Sequence, residues 1–267
     1  MATKIAVFGA GGKMGRAITR AVCRNPESTL AAAIERKESP DVGTDAAVLA
    51  GMDPKGILVS TDRPAAGVAD VWIDFSVPAA TLANVEAAAK AKAAMVIGTT
   101  GLSAADKDAI FKAGATIPIV LAPNFSVGVT VLLQLVADAA RLLGESYDIE
   151  IVETHHRDKR DAPSGTALRL GEAVAEAREQ NLADVARYDR HGDIGPRTTK
   201  EIGMQTLRGG DVVGDHTVHF MGQGDRVEIT HKASSRDTFA VGSVRAALWL
   251  ARKPAGLYDM RNVLGLA

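Results

Sequence analysis

Five short runs of β-forming residues, Ile5 to Phe8, Leu30 to Ile34, Val71 to Phe75, Met95 to Ile97 and Ile119 to Leu121, are separated by alanine-rich segments with helical spacing. Strands separated by helices cannot pair as hairpins. Each crosses back to lie parallel to an earlier one, so the rhythm predicts an α/β, Rossmann-like doubly wound parallel sheet. The helical segments carry start signals: Pro78 follows Ser76-Val77, and the Ser103 hydroxyl precedes Ala104-Ala105-Asp106, where it can accept from free N–H groups. Ala87 to Lys92 reads as a solvated helix face.

The first strand runs into Gly9-Ala10-Gly11-Gly12-Lys13-Met14-Gly15-Arg16, after which helical periodicity resumes at Ala17-Ile18 and Ala21-Val22. Glycines permit a tight turn and let backbone N–H groups approach a pyrophosphate, while the helix N-terminus adds favourable partial charge. Met14 occupies the place of the third glycine in G-x-G-x-x-G, and the spacing that fits is Gly9, Gly12 and Gly15. A glycine-rich turn with no ligand is the competing reading.

The second strand ends at Glu35-Arg36-Lys37, about 20 residues on, where a carboxylate meets an adenosine ribose. Glu35 suits the free hydroxyls of NADH, whereas Arg36, Lys37 and Lys13 suit the 2'-phosphate of NADPH, so weak discrimination between the two is expected. Ligands of open α/β sheets lie outside the carboxyl ends of the strands. The loops Gly98-Thr99-Thr100-Gly101 and Ala122-Pro123-Asn124-Phe125-Ser126 are therefore expected to line the nicotinamide half.

Beyond Val127 the pattern changes to an amphipathic helix near Gly128 to Leu143, a strand over Asp148 to Thr154, and a helix over Ser164 to Arg178. A glycine-punctuated β region follows from Gly203 to Lys232, with strands expected at Val212-Val213, Thr217 to Phe220 and Val227 to Thr230. This predicts a second α+β domain with a mixed sheet. A final helix at Val241 to Arg252 is assigned back to the first domain. Residues 1–126 and 237–267 then form a discontinuous dinucleotide-binding domain, and residues 127–236 a substrate-binding and oligomerisation domain.

The charge balance, 31 Lys+Arg against 32 Asp+Glu, supplies no global field for a phosphodiester backbone, and 4% aromatic residues offer few stacking platforms. Nucleic acid is not an expected partner. One cysteine, Cys23, excludes an internal disulfide framework and fits a reducing compartment. The start lacks a signal-peptide pattern, and the longest apolar run, Val127 to Leu135, falls short of the roughly 20 residues of a membrane span. A cytoplasmic protein is the expectation.

The densest chemistry lies in Glu153-Thr154-His155-His156-Arg157-Asp158-Lys159-Arg160-Asp161-Ala162-Pro163-Ser164-Gly165-Thr166, at a strand end and ahead of a helix. Cationic side chains beside the N–H groups of a helix start describe a receptor for a small dianion. Pro163 agrees with a helix beginning there. A metal site on His155, His156 and Asp158 is disfavoured because adjacent strand residues point to opposite faces, and no metal is expected. A serine nucleophile at Ser164 lacks the G-x-S-x-G elbow.

The segment Glu153 to Ala167, the Gly9 to Gly15 loop, Val96 to Gly101, Asn124 to Gly128 and His231-Lys232-Ala233-Ser234-Ser235-Arg236 closely resemble the 4-hydroxy-tetrahydrodipicolinate reductase family, also called dihydrodipicolinate reductase. Lys13 stands where arginine is frequent, which bears only on cofactor preference. The resemblance implies a homotetramer assembled through the sheet of the second domain, hinges between the domains, and a step of the diaminopimelate route to lysine. In that step a hydroxylated cyclic dicarboxylate loses water and takes a hydride at ring C4 from NADPH or NADH.

Carried onto this chain, the resemblance makes His155 the acid/base residue and Lys159 the proton donor. His156, Ser164 and the Gly165-Thr166 N–H groups would hold a substrate carboxylate, with Thr100 a further substrate contact. Gly9, Ala10, Gly11, Gly12, Lys13, Met14, Glu35, Arg36, Gly98, Thr99, Thr100, Ala122, Pro123, Asn124 and Phe125 would contact the cofactor, and Arg236 is expected near the hinge or pocket. The alternatives are a reductase of the same fold acting on another small dicarboxylate, and a dinucleotide-binding sensor without turnover.

Overall fold

The computed structural model describes residues 1–266. Its elements are, in order, β1 (Thr3–Phe8), α1 (Lys13–Arg24), β2 (Ser28–Ile34), α2 (Ala46–Leu49), β3 (Val59–Ser60), β4 (Val71–Asp74), α3 (Pro78–Ala91), β5 (Ala94–Ile97), α4 (Ala104–Ala113) and β6 (Pro118–Leu121). There follow α5 (Val127–Leu143), β7 (Asp148–His155), α6 (Gly165–Ala177), α7 (Leu182–Val185), β8 (Ala186–Arg187), β9 (Ile202–Arg208), β10 (Gly214–Met221) and β11 (Arg226–Ala233). The chain ends with α8 (Asp237–Leu250), β12 (Gly256–Tyr258) and α9 (Met260–Leu264). Contacts divide it into two units: Met1–Val127 together with the segment from Arg236 onward, and Gly128–Ser235.

The first unit is built on a seven-stranded sheet in the order β12-β6-β5-β4-β1-β2-β3, with all neighbours parallel. Both faces are covered, which is why its strands read as continuous apolar runs rather than alternations. Ile5, Val7, Val71, Ile73, Val96 and Val120 face one core, shared with α1 and α8; Ala6, Phe8, Trp72, Met95, Ile97 and Ile119 face the other. The strand order reverses direction between β1 and β4, the topological switch point at which open α/β sheets bind ligands.

Ser103 caps α4 with a reciprocal Asp106 capping box, and Pro78 occupies the first turn of α3. The alanines of α3 differ from expectation: Ala88 is fully buried, and Ala87, Ala89 and Ala91 pack against the Trp72 core, because a small side chain lets the helix lie close to the sheet. The very short β3 and β12 carry too few residues to show a period. They are recruited as edge strands by pairing with β2 and β6.

The second unit has a five-stranded sheet ordered β11-β10-β7-β9-β8, antiparallel on the β10 and β11 side and parallel on the β9 and β8 side. Burial alternates along β7, with Ile149, Ile151, Glu153 and His155 all facing inward. The core gathers Ile149, Ile151, Val218, Phe220 and Met204 from the sheet, and Leu170, Val174, Leu132 and Val136 from α6 and α5. Val212-Val213 is not a strand. It lies in the turn before β10, where Val212 O instead accepts the His156 N–H at 2.7 Å.

The helical segment Val127–Ser146 is long and apolar enough by composition to cross a membrane, longer than the Val127 to Leu135 run suggests. Its Leu132, Val136 and Ala140 pack into the second unit's core, while only 28% of its most apolar window is buried.

Candidate active site

In the first unit a cavity of about 700 Å³ opens at the switch point, walled by Gly9, Gly11, Gly12, Glu35, Arg36 and Lys37. The glycine loop is shaped for close approach. Gly9 has φ +74°, and a Cβ on Gly15 would fall 2.0 Å from Gly9 O, so only glycine lets α1 start against the end of β1. Gly12 caps α1 without a side-chain bond, leaving the helix's first N–H groups to a ligand.

Glu35 sits at the end of β2 with Oε2 accepting the Gly11 N–H at 3.0 Å and Oε1 accepting the Arg36 N–H at 2.9 Å. The loop, the carboxylate and the neighbouring exposed cations thus converge on one cavity. Together they fit the pyrophosphate and adenosine ribose of a dinucleotide.

Several expected cofactor residues turn inward. The side chains of Ala10, Ala122 and Phe125 are buried, Met14 packs on the β1 core, and Thr99 is buried and accepts a hydrogen bond from Thr81 Oγ1 at 2.8 Å. Gly98 lies against Phe75, whose ring a Cβ would penetrate at 2.2 Å. The side chains of Ala10, Thr99, Ala122 and Phe125 are thus buried within the protein, and that of Met14 is half-buried. Lys13, Thr100 and Pro123 are exposed, and Asn124 is half-buried with its Oδ1 accepting the Ser126 N–H at 2.8 Å.

The sequence reading missed other walls of the cavity, among them Asp41, Arg63, Ser76 and Asn84. Asp41 takes Arg16 Nη2 at 3.0 Å, while Arg16 Nε donates to Gly11 O at 2.8 Å. Fully buried Asp74 accepts from Ser76 and from Asn84 Nδ2, whose own Oδ1 accepts from Arg63 Nε at 2.8 Å. No spacing rule links these residues, so no sequence signal marked them.

The cationic cluster of the second unit forms where β7 ends. The chain turns out of the sheet at His156 and runs back to α6, whose N-cap is Ser164, with Pro163 one position earlier than a helix start would place it. Glu153, 1% exposed, holds the turn together. Its Oε2 accepts from His155 Nδ1 at 2.5 Å and Arg208 Nη1 at 2.9 Å; its Oε1 accepts from the Ser164 N–H at 3.0 Å, Thr206 Oγ1 at 3.3 Å and Arg208 Nη2 at 2.8 Å. Burial alone would raise its pKa, but the bonds from Arg208, His155 and Ser164 prevail and hold it below the ordinary carboxylate range.

Ser164 is buried. Its Oγ accepts the Ala167 N–H at 3.2 Å and contacts His216 Nε2 at 3.0 Å, so its side chain and N–H are both engaged inside the protein. The first two residues of α6, Gly165 and Thr166, follow this cap directly. His216 stacks edge-on to His155 with ring centroids 5.2 Å apart. Burial, then the neighbouring His155, push its pKa down to about 4, so it is neutral at physiological pH.

Lys159 Nζ is held by both oxygens of Asp161 at 2.9 Å, and His156 is half-buried at the start of the loop. Among the described residues no group of three or more His, Cys, Asp or Glu side chains is placed to hold a metal. Arg236 lies at the N-cap of α8 without a side-chain capping bond.

A family model described as the N-terminus of dihydrodipicolinate reductase matches residues 3–125, and one for its C-terminus matches residues 128–264. The chain is 53% identical over 265 residues to 4-hydroxy-tetrahydrodipicolinate reductase of Anaeromyxobacter dehalogenans strain 2CP-1, covering 99% of this chain and 98% of that one. It is 55% identical to the protein of the same name from Pseudomonas fluorescens strain SBW25, covering 98% and 99%. The fold is shared with dipicolinate-bound dihydrodipicolinate reductase from Paenisporosarcina sp. TG-14, at TM-score 0.73 and 21% identity over 97% of this chain and 98% of that one. With both family models matched end to end, and with relatives more than half identical along nearly the whole length, the chain belongs to the dihydrodipicolinate reductase family.

Proposed function

We propose that this chain catalyses the NADPH- or NADH-dependent reduction of 4-hydroxy-tetrahydrodipicolinate to tetrahydrodipicolinate, a step of the diaminopimelate route to lysine. The observation that carries the reading is the end of β7. There His155, held through Nδ1 by Glu153, stands within four residues of Lys159 and in one hydrogen-bonded cluster with the α6 helix start. A proton-handling imidazole, an ammonium and an anion-binding helix end are the groups a cyclic dicarboxylate needs while it is dehydrated and reduced.

Bound reduced nicotinamide supplies the hydride. The chain's residues do the rest: Lys159 Nζ, steadied by Asp161, donates the proton that balances the charge developing after hydride arrival, and His155 exchanges protons at Nε2. His156 and the Gly165 and Thr166 N–H groups hold a substrate carboxylate, with Thr100 a further substrate contact. Gly9, Gly11, Gly12, Glu35 and Arg36 hold the cofactor, with backbone contributions from Gly98, Thr99, Ala122 and Phe125.

The protein works in the cytoplasm as a homotetramer assembled through the second unit's sheet. The outward face of that sheet, where Leu207 and Met221 are exposed beside the Thr217–Thr230 cross-strand pair, supports this. Sedimentation of the purified protein tests the assembly, and a monomer would overturn it.

The activity is tested by nicotinamide absorbance with substrate generated in situ from pyruvate and aspartate semialdehyde by the preceding synthase. Synthase-dependent oxidation of NADPH or NADH is the expected result. No oxidation, despite measured nucleotide binding, would favour a different dicarboxylate or a sensor.

A further inference from the structure

The buried Glu153 carboxylate takes five hydrogen bonds, and its two oxygens do different work. Oε2 faces the imidazole Nδ1, while Oε1 faces the Ser164 N–H at the start of α6. It is placed by register: on β7, Glu153 lies opposite His216 of β10 and Thr206 of β9, and His155 lies opposite Arg208. The groups around the imidazole are therefore Glu153 on its own strand, Arg208 opposite it on β9 and bonded to the same carboxylate, and His216 on β10.

An anionic oxygen at Nδ1 keeps a proton on that nitrogen, so in the neutral ring the lone pair is on Nε2. Nε2 lies over the Cα of Gly214, where a Cβ would come within 2.9 Å of it. A bulkier residue at that position would crowd the nitrogen that reacts.

We propose that Glu153 is a positioning residue that fixes the His155 tautomer with Nε2 reactive, and that ties the imidazole and the carboxylate-binding helix start to one buried carboxylate. The proposal rests on the reading of His155 as the acid/base residue. One anchor then sets the separation between the proton-transfer atom and the anion site, and movement of either carries the other with it.

Glu153→Gln is the test. Oε1 faces three donors and Oε2 two, so the glutamine carbonyl takes the Oε1 place and its NH₂ faces Nδ1, forcing the proton to Nε2. The expected result is a loss in kcat of about 10²–10⁴-fold. KM for the dicarboxylate should move far less, NADPH binding should be unchanged, and the ¹⁵N-H signal of His155 should pass from Nδ1 to Nε2. A merely structural role would not move the tautomer.

If the folded variant turns over within twofold of wild type, or keeps the Nδ1–H signal, the proposal is overturned. Should the variant fail to fold, the wild-type ¹⁵N spectrum above the imidazole titration range decides: Nδ1–H is required, and Nε2–H overturns it. His155→Gln is assayed beside them. Activity retained there refutes the underlying reading of His155, whereas an inactive His155→Gln with an active Glu153→Gln refutes only the role given to Glu153.

Discussion

His216 makes the second unit acid-sensitive, and replacing it by glutamine measures how much. The imidazole is 4% exposed, and burial with the neighbouring His155 brings its pKa from 6.5 to about 4. Between these values the unfolded chain binds a proton that the folded chain refuses, so stability falls as pH drops through 6.5 and levels off below about 4. The full gap corresponds to about 3 kcal/mol, of which about 2 kcal/mol is lost between pH 7 and pH 5.

His216→Gln retains a polar group for Ser164 Oγ but cannot titrate. Urea unfolding at the two pH values, with hydrogen exchange at the β7 and β10 amides as the probe of this unit, should show the pH-dependent loss reduced by about 2 kcal/mol in the variant. An NMR titration of wild type should find the His216 ring neutral down to about pH 4. A variant as acid-sensitive as wild type, or a ring that charges above pH 6, would refute the reasoning. Glu153, whose pKa is also lowered, loses stability in the same direction as pH falls, so the comparison between variant and wild type isolates the imidazole.

Three further outcomes are expected. Lys159→Ala should lower kcat by about 10²-fold or more while NADPH binding, measured by fluorescence titration, survives; lost NADPH affinity would contradict a role in proton donation. Arg36→Ala should raise KM for NADPH more than for NADH, since only the former carries the 2'-phosphate that a guanidinium pairs with, and equal effects in steady-state assays would remove that assignment. Gly15→Ala puts a Cβ 2.0 Å from Gly9 O, so the glycine loop must shift, and calorimetry should find affinity for both nucleotides sharply reduced.

The parallel sheet was legible because its strands are buried on both faces and its helices carry explicit caps such as Ser103. The glycine loop and Glu35 were legible for a related reason: their chemistry depends on backbone freedom and on distance along the chain. What sequence did not reveal is contact made through register. Arg208 reaches Glu153 from 55 residues away, and His216 reaches Ser164 from 52, because β9 and β10 flank β7 in a pairing that no local pattern announces. Ser164 shows the same limit from the other side. A serine in a Ser-Gly-Thr turn reads as ligand-facing, yet its hydroxyl is committed to the helix cap and to a histidine brought by another strand.

The last helix has a consequence for how the protein is made. Arg20 of α1 pairs with Asp237 at the start of α8 across 217 residues, and Gly242 of α8 approaches so near that a Cβ there would fall 1.8 Å from Phe125 O. Until α8 leaves the ribosome, the face of the first sheet that it shares with α1 lacks the cover that Val244, Ala247 and Leu250 supply. The second unit, continuous from Gly128 to Ser235, is complete earlier. Synthesis from the N-terminus thus delivers the middle of the chain in finished form first, while the half translated earliest waits for its final turns of helix.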